Sequence, residues 1–251
     1  MELALRARTA IVTGGTRNLG RAIVEGLLNE GANVITAFRS DVNAAAAFEA
    51  SLPSPLRERL RVYQLDLASS PACQTLVGHA VTEFGGLHIL VNNAGVMLRQ
   101  DPQAIADHDF DWMLRNTLRS FIYMTRAAFA VMSEGGGGRV VNLSSEAAHT
   151  GNPKELTYLC AKAGVEGATR AFARLGAPHG LTVNAVAAHV VHSGMGTDTL
   201  ADDSTIVSRI PLGRAGRLPE LVSLVLFLCS DVCQYLTGQT LHLNGGRILH
   251  G

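Results

Sequence analysis

The chain has 251 residues, 21 basic and 21 acidic side chains, 47% hydrophobic residues and 17% charged ones. That much apolar material offsets the entropy of ordering the chain, so disorder is excluded, and the length is what one α/β domain commonly takes; a single domain over residues 1–251 is expected. A net charge of zero carries no general footprint for nucleic acid or an anionic membrane surface, so neither is an expected partner.

From the N-terminus, Glu2, Leu3 to Leu5 and two arginines pass straight into a strand pattern, without the layout of a signal peptide. Short β-branched runs then alternate with stretches of helical period. The runs are Thr9 to Val12, Asn33 to Ala37, Arg61 to Leu65, His88 to Val91, Arg139 to Leu143, Leu181 to Val186 and Thr240 to Leu243. Near-continuous apolar strands of this kind are buried on both faces, which predicts an α/β fold: a Rossmann-like, doubly wound parallel sheet of seven strands with helices on both faces. Between the first two strands, Leu19, Ile23 and Leu27 share one helix face and Gly31 stands at the C-terminal cap position. The longest irregular region, about 187–218, is expected to form a lid over the site. The longest apolar stretch, Leu221 to Cys229, is half of the roughly 18 residues that suggest a membrane span, so a soluble, cytoplasmic protein is expected.

Four cysteines are too few for a disulfide scaffold. The close pair, Cys229 and Cys233, is four apart, predicted on one helix face and lacking redox or zinc spacing, so reduced thiols are expected. The histidines lack metal-ligand spacing within one element, and no metal is expected.

Directly after the first strand, Thr13-Gly14-Gly15-Thr16-Arg17-Asn18-Leu19-Gly20 opens a helix. A glycine-rich strand-to-helix turn lets backbone N–H groups approach a pyrophosphate at the positive helix end. Asn18 stands where a glycine would be usual; asparagine tolerates positive φ and can also cap a helix. At the end of the second strand, Ala37-Phe38-Arg39-Ser40 offers no carboxylate for a ribose 2′-hydroxyl. Arg17 and Arg39 instead supply two guanidinium groups suited to a 2′-phosphate, which predicts NADP(H). Further on, Tyr158-Leu159-Cys160-Ala161-Lys162 places a phenol and an ammonium on the same helix face. A nearby ammonium is expected to lower the tyrosine pKa toward the range of a general acid. Ser145 follows the fifth strand, whose C-terminal end reaches the sheet edge where ligands bind.

On these features the chain resembles the short-chain dehydrogenase/reductase family from about Leu5 to Gly246. The further carriers are Asp66-Leu67, Asn92-Asn93-Ala94-Gly95, Asn116, Asn142-Leu143-Ser144-Ser145, Val183-Asn184, Gly238-Gln239 and Asn244-Gly245-Gly246. The resemblance implies an NADPH-dependent carbonyl reductase with Tyr158 as proton donor, Ser145 positioning the carbonyl oxygen, Lys162 holding the nicotinamide ribose and tuning Tyr158, and Asn116 supporting a proton-relay water. Ser144 is the rival for the serine role; Ser145 lies three after Asn142, as in the family pattern. The resemblance further implies that Gly14, Thr16, Arg17, Asn18, Leu19, Gly20, Arg39 and Ser40 line the cofactor site, that Asp66 and Leu67 flank the adenine, that Asn93, Ala94 and Gly95 line the cofactor, and that Val191 and Ser193 border the nicotinamide. A homo-oligomer, tetramer or dimer, is implied too, with the helix around Leu221 to Cys229 and the last strand at one interface.

The family's Pro-Gly turn after Val183-Asn184-Ala185-Val186 is replaced here by Ala187-Ala188-His189. His189 either points to solvent or reshapes the nicotinamide pocket; His149, His189, His192 and Met195 are the candidate substrate contacts. The fatty-acid-cycle ketoreductases carry basic carrier-docking residues before the fifth and sixth strands. Here those places read Gly135 to Gly138 and Pro178-His179-Gly180, which favours a small free ketone. The alternative is the same fold with an altered lid doing non-redox work, a cyclisation or elimination, or ligand sensing.

Overall fold

The structure, a computed structural model, describes residues 2–192 and 203–249. Its main sheet is parallel and seven-stranded, built from β1 (Thr9–Thr13), β2 (Asn33–Phe38), β3 (Leu60–Gln64), β4 (Ile89–Asn92), β5 (Gly138–Ser145), β6 (Leu181–Ala188) and a last strand, Thr240–Leu243. The spatial order is β3, β2, β1, β4, β5, β6 and the last strand, so successive strands are added outward in opposite directions from the β1–β4 boundary. The crevice outside the strand ends at such a boundary is where doubly wound sheets bind ligands. A small pair, β7 (Val191–His192) with β8 (Gly216–Arg217), stands apart; β9 denotes Thr240–Leu243.

Strand burial explains the pattern of the sequence. Val12, Val34, Val91 and Val141 face one core, shared with α1 (Asn18–Asn29), α2 (Val42–Ser51) and the later helix Leu218–Cys229. Ile11, Ile35, Leu90 and Val140 face the other, shared with Ser70–Phe84, Ser120–Glu134 and Leu156–Gly176. Alternate residues of one strand thus serve opposite cores, and each large side chain taken fully from water contributes about 1.5–3 kcal/mol. In chain order the remaining helices are α3 (Ser54–Arg57), α4 (Ser70–Phe84), α5 (Asp107–Leu114), α6 (Ser120–Glu134), α7 (Ala147–Thr150), α8 (Leu156–Gly176), α9 (Ser204–Val207) and α10 (Leu218–Cys229).

Helix α1 buries Gly20, Ile23, Val24, Leu27 and Leu28, and Gly31 leaves it at φ 87°. At the sheet centre a polar chain is fully satisfied. Asn92 Nδ2 donates to Thr125 Oγ1 at 3.0 Å and to Asn142 Oδ1 at 3.1 Å, and Asn142 Nδ2 donates to Thr169 Oγ1 at 2.9 Å. These bonds tie β4 and β5 to α6 and α8, which carry the site. One expectation fails: Cys229 and Cys233 do not share a helix face, because α10 ends at Cys229 and Ser230 turns extended before a short 3-10 turn; both thiols are buried and unpaired by disulfide. No described helix is long and apolar enough to cross a membrane.

Candidate active site

The ends of β1, β2 and β4 are stitched together by small side chains. Thr13 Oγ1 accepts from the N–H groups of Asn93 and Ala94, both at 2.9 Å, and Asn93 Nδ2 donates to the carbonyls of Thr13 at 2.9 Å and Gly14 at 3.1 Å. Close backbone approach here requires glycine: a Cβ on Gly20 would lie 2.3 Å from the Gly14 carbonyl oxygen. Asn18 takes positive φ, 48°, as expected of asparagine, but it caps nothing; the N-cap position is Arg17 and carries no side-chain cap bond.

This stitching leaves a cleft of about 360 Å³. Its walls bring together Gly14, the run Thr16 to Gly20, Arg39 with Ser40, Asp66 with Leu67, Asn93 to Gly95, and Asn116. The two arginines are not turned freely into it. Arg17 pairs with Asp41 at 3.0 Å, and Arg39 donates to Asn116 Oδ1 across the cleft. Asp41 also caps α2 by accepting from Ala44 N at 3.0 Å. It is the carboxylate that a reading ending at Ser40 overlooks, one residue further along, and helix cap and guanidinium engage its oxygens.

Asn116 lies in a π-helical turn, Arg115–Arg119, between α5 and α6; its Nδ2 donates to Trp112 O at 2.7 Å. Wide turns of this type recur at functional sites. Ser145 ends β5, Tyr158 sits in the first turn of α8, and Lys162 lies one turn on. The Ser145 hydroxyl accepts from Ala147 N at 3.2 Å and lies close enough to the Tyr158 phenol to lower its pKa. Ser144, the rival, faces the opposite way and donates to Glu166 Oε1 at 2.7 Å, so Ser145 is the serine beside the phenol.

Lys162 is 6% exposed, donates to the Leu143 carbonyl, and its Nζ lies 5.7 Å from the centre of the Tyr158 ring. Burial lowers its pKa to about 8, opposed by the Glu166 charge. The expected lowering of the Tyr158 pKa is not found. Burial raises it, the Ser145 bond acts the other way, and Glu155 raises it further. The ammonium lies over the ring, and its charge does not outweigh the burial of the phenol.

A second cavity of about 700 Å³ opens on the other side of Ser145 and Tyr158, sharing Asn18 and Leu19 with the first. His189 and Val191 line it; Val191 therefore stands in this wall and not in the first cleft. His189 does not point to solvent: its side chain is 12% exposed, with Nδ1 3.2 Å from Glu146 Oε2 and 3.3 Å from an Arg247 nitrogen. Burial, reinforced by Arg247, lowers its pKa to about 4. His149 is drawn to Glu166, at 3.0 Å, and neither His149 nor His192 lines the cavity. Ser193 and Met195 lie outside the described residues, as does 193–202 of the expected lid.

The sequence reading missed the buried acids. Glu146, 1% exposed, accepts from Arg247 at 3.0 Å, and Glu155 pairs with Arg99 at 2.9 Å in the wall of the second cavity. The place of Glu166 four after Lys162 was a usable signal; nothing in the sequence linked Arg247 to Glu146, 101 positions away. Among the described residues no group of three His, Cys, Asp or Glu side chains is placed to hold a metal ion.

The residues present fit a dinucleotide. The cleft runs from a glycine turn at a helix N-terminus to Gly95, where an added Cβ would stand 3.7 Å from Lys162 Nζ. Fold and site together define a doubly wound nucleotide-binding protein with Ser145 and Tyr158 in the wall of a second cavity and Lys162 buried beside them. The sequence model of a family described as Enoyl-(Acyl carrier protein) reductase matches residues 14–247. The chain is 34% identical over 247 residues to the 3-oxoacyl-[acyl-carrier-protein] reductase FabG of Haemophilus influenzae, covering 98% of this chain and 100% of that one. It is 35% identical over 247 residues to the enzyme of the same name from Vibrio harveyi, with 98% and 99% covered. A solved structure from Sinorhizobium meliloti, described as a short-chain alcohol dehydrogenase, superposes with a TM-score of 0.90 at 30% identity, covering 98% of each chain. The chain belongs to the short-chain dehydrogenase/reductase family, and it is a carbonyl-reducing oxidoreductase that uses a nicotinamide cofactor.

Proposed function

We propose that the protein is an NADPH-dependent reductase of a small-molecule ketone, with Tyr158 as proton donor. The observation that carries this reading is that Ser145 and Tyr158 stand in the wall of the second cavity while Lys162, over the Tyr158 ring, reaches Gly95 of the glycine-lined cleft. The nicotinamide cofactor supplies the hydride when bound. The chain does the rest. The glycine turn and Asn93 to Gly95 orient the dinucleotide, Arg17 and Arg39 exchange their present partners for a 2′-phosphate, and Ser145 and Tyr158 donate to the carbonyl oxygen as charge develops on it. Lys162, beside Gly95, holds the nicotinamide ribose, and Asn116 supports the water that returns a proton. Val191, His189 and the residues to either side of 193–202 form the wall and lid of a single catalytic domain. Ser193, Met195, His149 and His192 are secondary candidates at its edges.

The relatives are named for carrier-bound 3-oxoacyl substrates. A free ketone is favoured here because the places before β5 and β6, Gly135–Gly138 and Pro178-His179-Gly180, lack a basic docking pair. A cytoplasmic homotetramer or dimer, assembled through α10 and β9, completes the proposal. The non-redox reading is disfavoured, since all four side chains that ketone reduction requires are present around the two cavities.

The test is NADPH consumption with a panel of small ketones and a carrier-bound 3-oxoacyl thioester, for wild type and Tyr158→Phe. The variant is expected to lose about 10²–10⁴-fold in turnover, the range for general acid catalysis, while NADPH still raises its melting temperature. Unchanged turnover in Tyr158→Phe would remove the assignment of the proton donor.

A further inference from the structure

One turn beyond Lys162 on α8, on the same helix face, stands a second ionisable group that the reading above leaves unused. Glu166 is 4% exposed, and a carboxylate is almost never fully buried unless paired. Two other elements hold it in place. From β5, Ser144 Oγ donates to Oε1 at 2.7 Å and also lies 3.5 Å from the Lys162 carbonyl; from α7, a ring nitrogen of His149 lies 3.0 Å away. The His149 ring stands edge-on to His242 of β9, with centroids 4.7 Å apart. The carboxylate is therefore locked in position.

Lys162 is buried against neutral groups: the Leu143 carbonyl, the Tyr158 ring and Gly95. A carbonyl accepts from an ammonium without neutralising it, and an unpaired buried lysine tends to lose its proton. Other charged groups on elements packed against α8 are committed elsewhere or exposed. Arg139 of β5 is turned to Asp231, Glu146 beside α7 to Arg247, Glu155 of the turn before α8 to Arg99, Arg115 to Asp66, Arg119 and Arg126 to the Tyr123 ring, and Asp109 of α5 to Gln100 and His108, while Lys154 and Glu134 are exposed. Asp107 and Asp111 of α5 are exposed, and β6 carries no charged side chain. Glu166, four residues on along α8 and as buried as Lys162, is the acid on the same helix face, and its charge opposes the loss of the Lys162 proton.

We propose that Glu166, clamped by Ser144 and His149, is the counter-ion that keeps the buried Lys162 ammonium protonated, and is thereby a positioning residue for the Tyr158 proton donor. The second half of this inference rests on the ketoreductase reading; the first does not. A lysine that must hold a ribose and support a phenol has to remain charged at working pH, and burial alone works against that. Glu166 offsets the burial without touching substrate.

Lys154 is the only other lysine in the chain, so protein labelled with carbon-13 lysine gives two side-chain titration curves that are easily told apart. In Glu166→Gln, which keeps an acceptor for Ser144, the Lys162 curve is expected to fall by at least about one pH unit. The alkaline limb of the kcat profile for ketone reduction should move down with it, a loss of about tenfold above that limb with little change near pH 6. Glu166→Asp should restore most of both. A folded Glu166→Gln whose Lys162 titrates as in wild type overturns the proposal. So does a wild-type Lys162 that titrates below about pH 6.5, where an unpaired buried lysine falls, and that measurement needs no variant. Should wild type reduce no ketone while the titration shift is present, the ketoreductase reading fails and the counter-ion stands.

Discussion

On the β1, β2 and β4 side, the cleft is built from backbone amides, glycines and two threonine hydroxyls, and its charged groups are exposed at the rim, as in the Arg17 and Asp41 pair. On the β5, β6 and β9 side, the walls hold Glu146, Glu166 and Lys162 nearly out of water, each answered by a partner from another element. The first half depends on shape: what matters is that no side chain intrudes where the backbones approach. The second depends on charge balance, because an ion left alone in the interior loses several kcal/mol of solvation. The same substitution strategy should therefore affect the two halves in different ways.

The largest effect is expected at Arg247. Arg247→Met leaves Glu146 buried without its guanidinium and should cost about 3–5 kcal/mol in denaturant unfolding, whereas adding Glu146→Gln should recover most of the loss. A single variant as stable as wild type would mean that the second half is not held by charge balance. On the cleft side, Arg39→Ala should weaken NADPH binding by about ten- to a hundredfold, the value of a hydrogen bond to a charged group, and leave NADH nearly unaffected. Equal losses for both cofactors would deny Arg39 the 2′-phosphate.

Gly20→Ala tests shape directly, since the new methyl would meet the Gly14 carbonyl oxygen at 2.3 Å. Forcing it in should cost about 1–3 kcal/mol, read as a lower melting temperature and a weaker NADPH shift that added salt does not change. The smallest effect is a matter of pH. His189 has a folded pKa of about 4, below its unfolded value of about 6.5, so the unfolded chain takes up the proton first. Its contribution to stability is present above about pH 6.5 and is lost as the pH falls toward 4. The melting temperature of His189→Gln should fall less steeply than that of wild type across that window; parallel curves would show that the imidazole takes up its proton equally in the folded and unfolded chain.

Much of the first half was readable in advance. Gly14, Gly20 and Asn18 carry their meaning locally, because a tight turn at the start of a helix limits which residues fit, and their spacing survives in the chain order. The seven strands were equally readable, since burial on both faces writes itself as β-branched runs. The Arg39 contact with Asn116, 77 positions apart, was not. Nor was the turning of His149 toward Glu166, which depends on α7 and α8 packing side by side.

What the sequence by itself determined was therefore the parallel sheet, the glycine turn and the four-residue spacing of Tyr158 and Lys162, because each rests on periodicity or on spacing within one element. Tertiary structure alone decided which charges meet. The Arg247 pair with Glu146, the burial that raises the Tyr158 pKa, and the bond from Ser144 to Glu166 all arise where separate elements close over one another and remove water. Electrostatics in a protein interior is set by distance and burial, and neither is written along the chain.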